Sequence, residues 1–155
     1  MGSFIDLTAA DGFTFSAYVA EPANKPKAGI VVLQEIFGVN SHIRSVADGY
    51  AAEGYLAVAP ATFHRVKPGV EIGYTAEDMG AGMALKAAVE ALRAPGVMPD
   101  IEAAIKHASE AGKVGIVGFC WGGLLTWRAA CMAMAVPPAA RMARTTSSAA
   151  AWLAV

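Results

Sequence analysis

Apolar positions follow two different periods along the chain, one typical of strands and one typical of helices. Near the N-terminus, apolar side chains alternate with more polar ones on both sides of Asp11-Gly12, a dipeptide that favours a hairpin turn. Later apolar runs are continuous, as expected of strands that are covered on both faces. The predicted strands are residues 4–7, 13–19, 29–33, 55–59 and 114–117.

The segments between these strands have the apolar periodicity of helices. Ser41 is predicted as the N-cap of the first helix, which Gly54 ends. Thr75 and Asp78 have the spacing of a capping box at the start of a second helix. The predicted helices are residues 41–53, 76 to about 93, 98–111, and a last segment that runs to about 136. Strands that alternate with helices predict parallel βαβ units with right-handed crossovers.

Length and composition restrict the function. The 155 residues suffice for one domain with a hydrophobic core. A net charge of −1 gives no electrostatic case for binding nucleic acid or an anionic membrane. The uncharged residues 114–127 include four glycines and form too short a stretch for a membrane span, and no signal-peptide pattern precedes them. With only two cysteines, the chain is predicted to be cytoplasmic.

The three histidines give no indication of a metal site. His42, His64 and His107 have no ligand spacing with one another or with a cysteine. We therefore expect neither a metal nor a cofactor.

The most informative stretch surrounds Cys120. An apolar strand leads into Gly118-Phe119-Cys120-Trp121-Gly122, which an apolar helical segment follows. This G-x-C-x-G pattern is that of a nucleophile elbow with cysteine in place of serine. Glycines two positions before and after the cysteine allow the strand and the helix to approach closely. The positive end of the helix dipole favours a thiolate at such a position.

Two other interpretations of the stretch remain open. Glycine-rich turns between a strand and a helix also bind phosphate, although the glycines here fit neither G-x-G-x-x-G nor a P-loop, which would continue with lysine. A cysteine in an apolar stretch can also be a small core residue.

Two motifs together resemble one enzyme family. Residues 34–40 read Gln-Glu-Ile-Phe-Gly-Val-Asn after an apolar strand, and residues 115–123 contain G-x-C-x-G-G. The chain resembles the dienelactone hydrolases (carboxymethylenebutenolidases) of the α/β-hydrolase fold over about residues 4–134. The resemblance implies a mostly parallel sheet and a small lactone or ester as substrate.

The resemblance also implies roles for individual residues. Cys120 would be the nucleophile, and Glu35 the carboxylate that contacts the thiol and helps to form the thiolate. The backbone N–H groups of Ile36 and Trp121 would form the oxyanion hole. Arg65 would bind the carboxylate of the substrate. Each polar residue has a simpler interpretation, since Glu35 could be a solvated loop acid and Arg65 a surface cation.

The chain departs from the family pattern after Cys120. The triad of this fold continues with an acid and then a histidine, but no histidine, Asp or Glu follows Cys120. Residues 137–155 show no strand alternation. We therefore expect residues 1–136 to be the N-terminal portion of one α/β-hydrolase domain, without its last strands and helices. Residues 137–155 are predicted to be a tail from outside the family, as a frameshift or a faulty gene model would produce.

This departure leaves two predicted functions. One is an impaired hydrolase that lacks the triad Asp and His. The other is a non-catalytic fragment or partner-binding protein. In either case the elbow strand would lie at an uncovered sheet edge, which predicts self-association.

Overall fold

The computed structural model describes residues 1–135 and 151–153. Within these residues, a mixed sheet has the strand order β1-β2-β4-β3-β5-β6. The strands are β1 (Ser3–Thr8), β2 (Thr14–Ala20), β3 (Gly29–Leu33), β4 (Leu56–Pro60), β5 (Val114–Gly118) and β6 (Ala151–Leu153). The helices are α1 (Ser41–Ala52), α2 (Ala76–Glu90), α3 (Met98–Ala108) and α4 (Trp121–Ala135), with a 3₁₀ turn at Ser109–Ala111.

The first two strands form the predicted hairpin. Ser3 lies opposite Val19 and Thr8 opposite Thr14, and Gly12 in the connecting turn has a φ of +85°. The other edge of β2 pairs antiparallel with β4, whereas β3 pairs in parallel with both β4 and β5. The predicted parallel βαβ core is therefore confirmed, with an antiparallel hairpin added at one side.

Helices cover both faces of the central strands. Val32 of β3 packs in a cluster with Ile43 and Ala47 of α1, whereas its neighbour Val31 packs in a second cluster with Ile101 of α3. All five of these side chains are fully buried. Coverage on both faces explains why β3 is continuously apolar, because alternate residues enter different cores. No helix in the described part of the chain is both long and apolar enough to cross a membrane.

The helix caps agree with the sequence at one position and differ at another. Thr75 and Asp78 form the predicted capping box, in which the Asp78 N–H donates to Thr75 Oγ1 at 3.1 Å. The first helix, by contrast, is capped by Asn40 and not by the predicted Ser41. Asn40 Oδ1 accepts from the Ile43 N–H at 3.2 Å, and its Nδ2 donates to the Ile72 carbonyl at 3.2 Å. The amide of Asn40 thus caps the helix with its oxygen and binds the loop at Ile72 with its nitrogen, so the cap lies one residue before the predicted position.

The edge beyond β5 corrects one expectation. The sequence showed no strand after the elbow helix, but Ala151–Leu153 pairs in parallel with Val114–Ile116. The predicted uncovered edge is therefore wrong over these three residues. Pairing at an edge uses backbone groups and needs no side-chain alternation, which is why the pattern gave no sign of it. The rest of the predicted tail, residues 137–150 and 154–155, lies outside the described residues, and so does Val136.

Candidate active site

Cys120 lies at a sharp turn between β5 and α4. The strand ends at Gly118 and the helix begins at Trp121. Cys120 has a φ of +53°, and in the described part of the chain it is the single residue other than glycine with a positive φ. An L-residue in this region is strained, and such strain is concentrated at functional sites. The backbone thus has the geometry predicted for a nucleophile elbow.

Glycines make this turn possible. A Cβ on Gly118 would overlap the carbonyl oxygen of Gly122, and a Cβ on Gly122 would overlap the carbonyl oxygens of Leu33 and Gln34. These obstacles are backbone atoms, which cannot rotate away as a flexible side chain can. The G-x-C-x-G spacing is therefore a steric requirement of packing the elbow against the end of β3.

The loop after β3 runs beside the elbow. The Phe119 N–H donates to the Leu33 carbonyl at 3.2 Å, which ties the two segments together. Gln34 is buried, and Glu35 next to it is half-buried. A few residues on, Gly38 has a φ of +80° and no room for a Cβ beside the Val70 carbonyl. The Q-E-I-F-G motif thus directly follows a strand end that is hydrogen-bonded to the elbow.

Glu35 does not contact the thiol directly. Its Oε2 accepts a hydrogen bond from the Tyr74 hydroxyl at 2.9 Å, and among the described residues no hydrogen bond joins Glu35 to Cys120. No pattern in the sequence indicates Tyr74, which lies 39 positions away in a long loop. Burial, and to a smaller extent the adjacent Glu35 carboxylate, raise the pKa of Tyr74.

The two predicted oxyanion-hole residues lie in buried positions, Ile36 in the loop after β3 and Trp121 at the start of α4. Ile36 and Trp121 are both buried, and in the described part of the chain neither backbone N–H donates to another backbone group. The Trp121 ring stacks on Phe63 with 5.2 Å between centroids, and its Nε1 donates to Glu90 at 3.3 Å. The Trp121 side chain is thus anchored in the core, and the oxyanion-hole role of the two N–H groups stays a prediction.

Arg65 has other partners than the predicted substrate. Its guanidinium binds Asp100 in a bidentate manner, with Nε–Oδ2 at 2.8 Å and Nη2–Oδ1 at 2.6 Å, and also contacts Asp11. It lies 4.5 Å from the centroid of the Phe13 ring. Burial raises the pKa of Asp100, against the opposing effect of Arg65. This geometry favours a structural role, and the predicted contact with a substrate carboxylate gains no support from it.

A cleft beside the elbow does not enclose the thiol. It has a volume of about 230 Å³ and lies beside the first turns of α4, with Glu90, Pro95, Trp121 and Arg128 among its lining residues. Cys120 is exposed and is not part of this lining. Within the described residues, the sulfur therefore faces solvent.

Comparison with known proteins identifies the family. The sequence model of the dienelactone hydrolase family matches residues 15–142. The chain belongs to this family. It is 37% identical over 140 residues to a carboxymethylenebutenolidase from Pseudomonas putida. The match covers 79% of this chain and 53% of the relative. A protein from Synechocystis, named "Putative carboxymethylenebutenolidase", is 42% identical over 118 residues and is covered over 47% of its length.

Solved structures agree with this assignment. The crystal structure of a "Putative Dienelactone Hydrolase" from Klebsiella pneumoniae aligns with a TM-score of 0.63 and 32% identity, over 82% of this chain and 54% of that one. A serine hydrolase from Xanthomonas campestris, at 12% identity and a TM-score of 0.54, shows the α/β-hydrolase fold alone. The chain spans about half the length of the curated relatives it matches.

Proposed function

We propose that the chain acts as a dienelactone hydrolase-like enzyme on a small lactone or ester, through an acyl-enzyme on Cys120. The observation that carries this proposal is the positive φ of Cys120 at the turn into α4. That conformation presents the sulfur at the N-terminus of a helix, where the dipole favours a thiolate. The preference for a substrate that carries a carboxylate rests on the family, because Arg65 is already paired with Asp100.

The proposed chemistry proceeds in two steps. The Cys120 thiolate attacks the carbonyl carbon, and the developing oxyanion accepts hydrogen bonds from the N–H groups of Ile36 and Trp121. The C–O bond then breaks, the released alkoxide takes up a proton, and a thioester remains on the sulfur. Water attacks the thioester in the second step, which releases the acid and restores the thiol.

Glu35 is the proposed acceptor of the thiol proton. It follows the end of β3, whose Leu33 carbonyl is hydrogen-bonded to Phe119 of the elbow. Glu35 and Cys120 therefore lie on two backbone segments that this hydrogen bond joins. Proton transfer to a positioned side chain contributes substantially to catalysis.

Deacylation is proposed to be the impaired step. The sequence has no histidine or acid after Cys120, and among the described residues no hydrogen bond joins any of its three histidines to Cys120. His64 Nδ1 accepts from the Ser16 N–H, His107 lies 3.4 Å from Glu110, and the His42 ring packs against Phe119. Without a base that activates water, the thioester should accumulate.

A burst experiment tests this proposal. We expect an activated aryl ester to release close to one equivalent of its phenol rapidly, followed by slow turnover. Cys131→Ala should preserve the burst and Cys120→Ala should abolish it, because both cysteines are exposed and only Cys120 lies on the elbow. Absence of a burst from the unsubstituted chain, or an equal burst from Cys120→Ala, would refute the proposal.

A second candidate is a partner-binding protein without catalysis. The exposed face of α4 favours it, since Leu124 is 41% and Trp127 60% exposed. Apolar side chains of this size in solvent often mark an interaction surface. A stable complex that forms equally well with Cys120→Ala and is lost with Trp127→Lys would support this function. The predicted self-association is a related outcome, which light scattering across a concentration series would detect.

A further inference from the structure

We propose that Tyr74 is a positioning residue of the candidate site, whose hydroxyl holds the Glu35 carboxylate away from Cys120. The inference rests on the proposed role of Glu35 as acceptor of the thiol proton. It assigns a function to a residue that lies outside the elbow and outside both sequence motifs.

Two contacts join Tyr74 to the loop that carries Glu35. The hydroxyl donates to Glu35 Oε2 at 2.9 Å, and the ring packs on Phe37 with 4.4 Å between centroids. Asn40 Nδ2 lies 3.5 Å from the same hydroxyl and can donate to it. The hydroxyl thus accepts from Asn40 and donates to Glu35, and these two bonds fix its orientation.

The backbone around Tyr74 is fixed at both ends. On one side, Gly38 forms an antiparallel bridge with Glu71, and the Ile72 N–H donates to the Phe37 carbonyl at 3.0 Å. On the other side, Thr75 is the N-cap of α2. Only Gly73 separates the bridged segment from Tyr74, so the ring has a defined position relative to Glu35.

The chemistry of the pair explains its effect. A neutral tyrosine hydroxyl donates one hydrogen bond, and a carboxylate accepts it best when ionised. This bond occupies one oxygen of Glu35 and restrains the side chain. Tyr74 itself is 56% exposed, so its hydroxyl can be removed with little loss of buried contact. Phenylalanine at this position would keep the ring contact with Phe37 and release the carboxylate.

Alkylation of Cys120 tests the proposal by a measurement that does not require hydrolase activity. Iodoacetamide labelling would be followed by peptide mass spectrometry between about pH 6 and about pH 9, the range in which thiols ionise, with Cys131 as an internal reference. We expect Tyr74→Phe to raise the rate at Cys120 near neutral pH by about three- to tenfold, because the released carboxylate can accept the thiol proton. The same change made in a Glu35→Gln background should have no effect.

Controls separate positioning from a structural effect. Tyr55→Phe removes a hydroxyl elsewhere and should leave the Cys120 rate unchanged. Tyr74→Leu, which also lacks the hydroxyl, should reproduce the increase with a different side chain. An unchanged or slower rate in Tyr74→Phe, or an equal increase in the Glu35→Gln background, would overturn the proposal. A chain that shows no ester burst but retains this Glu35-dependent effect would refute the hydrolase function alone.

Discussion

The indole of Trp121 lies parallel to the ring of Phe63, with 16° between the planes and 5.2 Å between the centroids. This stack joins the first residue of the elbow helix to the loop after β4. Both side chains are almost completely buried, so the contact belongs to the hydrophobic core as well as to the candidate site. The proposed oxyanion donor at Trp121 therefore depends on a core residue from a different strand–loop unit.

Replacement of Phe63 should consequently weaken both the fold and the site. We expect Phe63→Ala to lower the free energy of unfolding by about 3 to 5 kcal/mol, as for a buried aromatic side chain in general. Urea denaturation measures this loss, and Phe4→Ala, at a 43% exposed position, is the matched control with a much smaller effect. A loss below about 1 kcal/mol for Phe63→Ala would show that the stack does not support the core.

The close approach at Gly122 gives a second prediction. Gly122→Ala should destabilise the chain by about 2 kcal/mol or more, because the added methyl group meets the backbone oxygens of Leu33 and Gln34. Gly80→Ala is the control, since a Cβ at this exposed helical position meets nothing within 4 Å. The control should stabilise α2 by about 0.5 to 1 kcal/mol. Equal melting midpoints for the two variants would contradict this description of the elbow.

The ion pair of Arg65 with Asp100 predicts a dependence of stability on pH. Arg65→Met should lower the free energy of unfolding by about 3 kcal/mol near neutral pH, because Asp100 is completely buried and would lose its partner. Burial already raises the pKa of Asp100, and removal of the guanidinium should raise it further.

The sign of this dependence follows from proton linkage. A carboxyl whose pKa is higher in the folded than in the unfolded chain contributes stability at low pH and loses it as pH rises through the folded-state value. The deficit of Arg65→Met should therefore be larger at about pH 7 than at about pH 4. Arg93→Met, at an exposed position, should show little deficit at either pH. Equal deficits of Arg65→Met at both values would contradict a buried, ionised Asp100.

The titration of Tyr74 should report on Glu35. Burial first, and then the bond to the Glu35 carboxylate, raise the pKa of Tyr74. The folded chain therefore favours the neutral hydroxyl, and the stability from this preference is present below about pH 10 and lost as pH rises further. Glu35→Gln should lower the pKa of Tyr74 and leave the pKa of Tyr18 unchanged. Burial and Asp48 raise the pKa of Tyr18, so the substitution at Glu35 does not affect it. The ¹³C resonances of the tyrosine rings measure both. An unshifted Tyr74 in Glu35→Gln would show that the pair is not formed in solution.

Local sequence was enough to predict the first five strands, the four helices and the elbow. The continuous apolar run of β3, the capping box at Thr75 and the glycines around Cys120 each depend on neighbouring residues, so their structures could be recognised without tertiary contacts. The same holds for the family, whose motifs are contiguous in the sequence.

Long-range contacts decided what the sequence could not show. Asn40, which caps α1 in place of Ser41, also binds a carbonyl 32 positions away, and Arg65 is paired with an acid 35 positions away. Tyr74 reaches Glu35 across 39 positions. No periodicity links such residues, and β6 pairs through its backbone. The polar partners of the site therefore required the three-dimensional structure.

Acylation of the two cysteines, compared in the folded and the unfolded chain, tests the role of Cys120 most directly. Both are exposed, so access alone does not distinguish them. An activated ester, with site-resolved mass spectrometry, should label Cys120 at least about tenfold faster than Cys131 in buffer and equally fast in urea, because only the folded chain forms the elbow at Cys120. Equal labelling of both cysteines in the folded chain would contradict an assembled nucleophile elbow.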